Sequence, residues 1–297
     1  MADPDWDTLA DLAAFARIEI DSADVEPWAE MFRELRRSGF ADDEQAHWLI
    51  ALYNSYDSLG SAIGCYRRWP SPEMWGAAPD RAEAATYECT QERRGLRGGK
   101  VLLRHESFLA CLAGQSQHAW ISQVARSDDP AENFRSVTAW MRQVWGVGRQ
   151  SAFEWAEFVG KVFDLPIEAG DAQLWESEGP RRSLQRLYGN PSPSAAWLED
   201  RARECKQYLA DQGVELDWWD FETIICDFNV MRDGRYYPGR HLAAIREEIE
   251  ECDEADAEVL SEAFKRFVPT EWQDIPPGID KTKLPIYRDT GQIVTTA

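Results

Sequence analysis

The sequence predicts an all-α fold. Apolar residues recur at spacings of three and four almost throughout, and no sustained period-two alternation occurs before residue 272. A hydrophobic content of 44%, including 14 Trp, can fill a substantial core in a chain of 297 residues. The expected organisation is one helical region over residues 1–270 and an extended, Pro-containing tail over 271–297. No internal repeat is present.

Taken in order, Trp28, Met31, Phe32 and Leu35 mark the first amphipathic segment. Asp42 or Asp43 can cap the next, which carries Trp48, Leu49, Leu52, Tyr53 and Tyr56. The Pro- and Trp-rich stretch from Trp69 to Pro79 reads as a loop. Phe108, Leu109, Leu112, Trp120 and Val124 predict a further helix that ends before Asp128-Asp129-Pro130. Pro130 suits a first helical turn, and Phe134, Val137, Met141 and Val144 follow at helical spacing. Later segments carry Trp197, Leu198 and Tyr208, then Phe221, Ile224, Ile225 and Phe228.

Lys and Arg number 32 against 53 Asp and Glu, a formal charge of -21, and such a balance ordinarily counts against nucleic acid as a partner. The charge is unevenly placed. Glu247 to Glu262 holds nine acids and no Lys or Arg, and taking those nine from -21 leaves -12. That stretch reads as a solvated helix face. Arg93, Arg94, Arg97, Lys100 and Arg104 form an acid-free run interrupted by Gly95, Gly98 and Gly99. It is either a phosphate-contacting loop or a mobile surface loop.

Cys65, Cys89, Cys111, Cys205, Cys226 and Cys252 form no CxxC pair, which argues against a zinc ribbon and fits free thiols in a reducing compartment. His47, His105, His118 and His241 show no metal-ligand spacing, so no metal or other cofactor is expected. The chain lacks a run of about 18 apolar residues, and its acidic start, Met1 to Asp5, does not resemble a signal peptide. A cytoplasmic location without a membrane partner is the expectation.

The most informative segment is Val144 to Asp171. A helix is expected to end at Trp145, Gly146-Val147-Gly148 to make a tight turn, and Arg149 to Phe163 to restart as a helix with Ala152, Trp155, Ala156 and Val159 on its buried face. Two glycines allow a sharp turn and a close backbone approach. The unpaired N–H groups and dipole at the start of the new helix can hold a phosphate. The unit at about 134–163 resembles the helix-hairpin-helix of DNA repair glycosylases. In those enzymes the second helix leads through a proline-containing loop to a catalytic aspartate; here Leu165-Pro166-Ile167 and Asp171 fall in that place. Three departures matter. Gln150 stands where lyase-type members carry a Schiff-base lysine, Trp145 replaces the usual proline, and the four-cysteine iron–sulfur signature is absent.

Flanking motifs narrow the resemblance. Asp171-Ala172-Gln173-Leu174-Trp175, Gly179 to Leu184, Glu222 to Phe228 and Gly234 to Arg240, with Tyr53, Tyr56 and Ser58, resemble the phage α-glutamyl/putrescinyl thymine pyrophosphorylases, or amino acid:DNA transferases, from about residue 45 to 250. The resemblance implies that an amino acid or amine displaces pyrophosphate from an activated 5-hydroxymethyluracil in double-stranded DNA.

On that reading Gly146, Gly148, Arg149 and Gln150 would lie against the DNA backbone. Arg181 and Arg182 would favour pyrophosphate at a helix start, and Arg235 or Arg240 would pair with an amino acid's carboxylate. Asp171 would deprotonate the incoming ammonium or stabilise charge on the methylene carbon. Tyr236, Tyr237 and Trp175 would stack a flipped base. Plainer roles stand beside these: a packed turn for Tyr236 and Tyr237, a helix cap for Asp171, solvated side chains for Arg181 and Arg182, and either a functional carboxylate or a structural acceptor for Asp227. A monofunctional glycosylase and a non-catalytic DNA-binding module are the alternative functions. The Gly179–Leu184 and Gly234–Arg240 motifs favour the transferase.

Overall fold

A computed structural model describes residues 8–86 and 96–274. Within them the chain is helical, with no strand: α1 (Leu9–Ser22), α2 (Pro27–Arg37), α3 (Asp43–Tyr56), α4 (Leu59–Arg68), α5 (Pro72–Ala77), α6 (Gly99–Leu112), α7 (Gln117–Val124), α8 (Pro130–Met141), α9 (Arg149–Phe163), α10 (Glu178–Leu187), α11 (Ala195–Asp211), α12 (Trp218–Arg232), α13 (Arg240–Glu250) and α14 (Glu254–Phe267). The all-α expectation is met. Most of the expected tail, Met1 to Asp5, Cys89, and Arg93 to Gly95 of the basic run lie outside the described residues.

Two compact units share the chain. The first takes residues up to Pro27, Gly170–Ala244 and those from Val268 on; the second takes Trp28–Ala169 and Ile245–Phe267.

In the first unit, α1 supplies Leu12, Phe15 and Ala16 to a core completed by Leu198, Leu209, Phe221, Ile224, Ile225 and Phe228. Each Leu, Ile or Phe among them, fully buried, contributes about 1.5–3 kcal/mol of hydrophobic stabilisation before chain entropy is counted. Thr8 and Asp11 close a reciprocal capping box at the start of α1. Ser194 and Asp217 cap α11 and α12, each accepting the backbone N–H three residues on.

The second unit is built around α9. The anticipated face, Ala152, Trp155, Ala156 and Val159, is buried, but so are Phe153, Phe158, Val162 and Phe163, so the helix is enclosed nearly all round. Phe158 packs against the rings of Phe32 and Tyr53 at 5.7 and 5.6 Å. Asp42, rather than Asp43, caps α3, while Asp129 and Pro130 start α8.

Three expectations need correction. The single helix through 108–124 is two, because Gly114 adopts φ +78° and Ser116 caps a new start at Gln117. The Trp69–Pro79 loop contains α5, which Ser71 caps and Pro72 begins. The acidic stretch is not one solvated face. It breaks between α13 and α14, and two of its acids are buried: Glu248 accepts the Gly60 N–H at 3.1 Å and Asp256 holds Arg67 at 2.6 Å.

Candidate functional site

The hairpin in the second unit has the expected form, with one shift. Helix α8 ends at Met141, before Trp145, and the chain tightens through short turns, Val144 N–H to Met141 C=O and Val147 N–H to Val144 C=O. Gly146 follows at φ +75°, a left-handed conformation that favours glycine, and Gly148 begins α9 with no side-chain cap. The opening N–H groups of α9 therefore receive no help from a side chain at the cap, and space beside Gly148 is open.

Arg104 locks this turn from within. Its guanidinium donates to the Gly146 carbonyl at 2.5 Å and to the Asn54 carbonyl at 2.7 Å. Only 4% exposed, it is no phosphate-contacting loop residue; it sits inside α6 as a buttress. Burial lowers it to about 10, with Glu154 opposing, so it stays charged at neutral pH.

Arg149 is also buried. Its guanidinium lies 4.3 Å from the centroid of the Phe153 ring and donates to Gln150 Oε1 at 2.8 Å. A side-chain grip by Arg149 is thereby corrected; what the hairpin offers outward at this point is backbone. After α9, the loop through Pro166 is tied back to α8: Asn133 donates to the Pro166 carbonyl at 2.7 Å, and the Glu168 N–H reaches the Pro130 carbonyl at 3.2 Å.

The first unit resumes at Gly170, and Asp171 is exposed there. Its Oδ1 accepts the Gln173 N–H at 2.9 Å, and Gln173, at φ 48°, leads into the short 3₁₀ turn Leu174–Glu176. Trp175, 54% exposed, lies in that turn, and Arg181 donates to its carbonyl at 3.0 Å. Arg182 pairs with Glu178 at 2.6 Å. Together with Gln185, Arg186, Gly189 and Pro191 it lines an open cavity of about 490 Å³.

Tyr236 is wholly buried and Tyr237 is 5% exposed, so neither presents a ring to a flipped base. The expected stacking role is corrected for both. The Tyr236 hydroxyl instead lies 2.7 Å from Glu19 Oε2 and 2.6 Å from Asp24 Oδ2. One phenolic hydrogen cannot serve two carboxylates. The arrangement balances when Tyr236 donates to Asp24 and a protonated Glu19 donates to Tyr236.

Asp24 is the better anion, since it also accepts the N–H groups of Gly239 and Leu242 at 2.7 and 2.9 Å, at the start of α13. Burial holds Glu19 well above the carboxylate range, reinforced by Asp24 and Asp227. Burial also raises Asp24 to about 7 against the pull of these hydrogen bonds. Asp227 is 4% exposed, with His241 Nε2 at 3.8 Å from its Oδ2, and His241 Nδ1 lies 3.1 Å from the Asp24 carbonyl. Asp227 thus belongs to a buried acid cluster in the interior of the unit.

Arg235 is exposed and pairs with Asp233 at 3.0 Å; Arg240 lies 5.9 Å from the Tyr236 ring centroid. Glu19, Asp24 and Arg104's buttressing role carried no local sequence signal. Among the described residues, no three His, Cys, Asp or Glu side chains are grouped to hold a metal ion, and no helix is long and apolar enough to cross a membrane.

A protein-family model described as amino acid:DNA transferase matches residues 20–235. No curated protein matches the chain.

Proposed function

Because the chain belongs to the amino acid:DNA transferase family, we propose that it transfers an amino acid or amine onto pyrophosphorylated 5-hydroxymethyluracil in phage DNA, releasing pyrophosphate. A transferase acting on an amino acid and DNA follows from the family; the base, the leaving group and the phage setting in a bacterial cytoplasm are the proposal. The observation that carries it is the extent of the match. Its range takes in the hairpin, Asp171 and the arginines of α10.

In the reaction, the amine nitrogen forms a bond to the methylene carbon as the carbon–oxygen bond to pyrophosphate breaks. Pyrophosphate leaves with the electron pair, and one ammonium proton goes to a base. Asp171 is assigned that proton, being an exposed carboxylate with a single backbone hydrogen bond. Trp175 is assigned the extruded base, the stacking place that Tyr236 and Tyr237 cannot fill. The cavity between Arg182 and Arg186 suits the leaving pyrophosphate, and exposed Arg235 suits the carboxylate of an amino acid. The backbone of Gly146 to Gln150 is assigned to double-stranded DNA.

The test is to incubate the protein with kinase-activated hydroxymethyluracil DNA and mixed amino acids, then digest to nucleosides for mass spectrometry. An amino-acid adduct with matching pyrophosphate release is expected. Abasic sites would assign a glycosylase instead, and bound but unchanged DNA a binding module; either overturns the proposal.

A further inference from the structure

The serine that opens α10 points its hydroxyl away from its own helix. Ser58, Ser71, Ser116 and Ser194 open other helices, and each accepts the backbone N–H three residues on. Ser177 makes no such bond. Three residues on stands Pro180, which has no N–H to give. The Ser177 hydroxyl instead donates to Glu222 Oε1 on α12 at 2.9 Å, with the two residues only 7% and 4% exposed.

Ser177 also closes the turn before it. Its N–H donates to the Leu174 carbonyl at 3.1 Å, ending the 3₁₀ turn in which Trp175 is exposed. Ala172 and Leu174 are buried while Asp171 and Trp175 are exposed, so the segment shows those two side chains from a backbone fixed behind them. One helical turn beyond Glu222, Cys226 packs so closely on Gly179 that a Cβ there would lie 2.7 Å from its Sγ. The start of α10 is thus held to α12 at two adjacent points, and the segment of Asp171 and Trp175 leads into the first of them.

We infer that Glu222 is a positioning residue: through Ser177 it fixes the turn that carries Trp175, with Asp171 at its head. This rests on the reading of Asp171 as the proton acceptor and Trp175 as the support of the extruded base. Glu222 is buried and acts only through Ser177 and the turn. A helix start that forgoes its local cap for a side chain 45 residues away breaks a local rule, as functional sites do. The effect falls on the chemical step, because reacting groups displaced by about 1 Å lose about 100-fold in rate.

The test follows adduct formation on kinase-activated hydroxymethyluracil DNA with saturating mixed amino acids under single-turnover conditions. Alongside it, fluorine NMR follows Trp175 in protein labelled with fluorotryptophan, the signal being identified by its loss in Trp175→Phe. Ser177→Ala should slow adduct formation about 10- to 100-fold and shift or broaden the Trp175 signal, with circular dichroism to verify folding. Ser177→Gly, a residue well tolerated at a helix start, should do the same and guards against a misfolded alanine variant. Glu222→Gln keeps an oxygen that accepts from Ser177 and should retain most of the rate and the wild-type signal.

Wild-type rates in folded Ser177→Ala and Ser177→Gly overturn the positioning role, as does an unmoved Trp175 signal. A loss in Glu222→Gln equal to that in Ser177→Ala overturns it too, since the charge of Glu222 and not its hydrogen bond would then matter. A wild-type protein that forms no adduct overturns the underlying reading of Asp171 and Trp175, a failure that the NMR signal keeps separate from that of the hydrogen bond.

Discussion

Arg104 and Gly146 are joined by a hydrogen bond from a buried guanidinium to the carbonyl of a left-handed glycine, 42 residues apart in sequence. The same guanidinium holds Asn54 on α3, so one side chain ties the hairpin turn to two other helices of its unit.

Replacing Arg104 by Ala strands the buried Asn54 carbonyl and removes the charged donor that holds the exposed turn at Gly146. A loss of about 2–4 kcal/mol is expected in chemical denaturation, the cost of charged hydrogen bonds and unsatisfied acceptors. Arg104→Lys should recover only part of it, because an ammonium lacks the fork that spans two acceptors. A loss below about 0.5 kcal/mol for Arg104→Ala would show that the turn holds itself.

Asp171→Asn keeps the hydrogen bond to Gln173, since the amide oxygen still accepts, and removes the base. Adduct formation should fall by about 100-fold or more while the affinity for DNA stays within about twofold. Near-normal turnover would reduce Asp171 to the head of the 3₁₀ turn.

The Glu19–Tyr236–Asp24 cluster makes stability depend on pH in a defined direction. Both carboxyls are held above their ordinary values, so the folded chain binds more protons than the unfolded chain between about pH 4 and 7. The contribution of Asp24 is complete below about pH 4 and is lost as pH rises through about 7, and that of Glu19 is lost in the same direction. Glu19→Gln mimics the protonated acid and should flatten this part of the profile. Denaturation midpoints of the two proteins, compared from pH 5 to 8, check it; parallel profiles would remove Glu19 from the proton count.

Gly179 on α10 has no room for a methyl group: a Cβ there would lie 2.7 Å from Cys226 Sγ on α12. Gly179→Ala should cost about 1–3 kcal/mol, seen as a lower thermal midpoint. Adding Cys226→Ala should restore most of that loss. Failure of the second change to help would place the cost in the backbone of α10 instead.

Periodicity made the helices around Trp48, Phe134, Trp155 and Phe221 legible, since each buries a stripe at spacings of three and four. The break at Ala113 to Ser116 was written there too, in a glycine followed by a capping serine, and the apolar spacing across it hid the signal. The hairpin was legible because its chemistry is local, glycines and an uncapped helix start.

The fate of individual polar side chains was not legible. Nothing around Asp24 distinguishes it from a surface loop acid, because Tyr236 and Leu242 lie 212 and 218 residues away. Arg104 and Arg149 are basic residues in plausible DNA-facing positions, and only packing reveals that each is turned inward. Tyr236, beside Pro238 and Gly239, looked like an exposed platform because local composition resembles a turn; burial followed from acids at the far end of the chain.

The division of the chain also orders its birth. On the ribosome, residues 28–169 emerge as one block, so most of the second unit can begin to pack early. Helix α1 must wait. Its Glu19 and Tyr236 are separated by 217 residues, which at about 5–20 residues per second means about 10–40 s before the partner exists. During that interval the apolar stripe of α1, with Leu12 and Phe15, is exposed next to a growing chain. That unshielded stripe is where a chaperone would be needed, and where slower translation would expose the nascent protein to aggregation for longest.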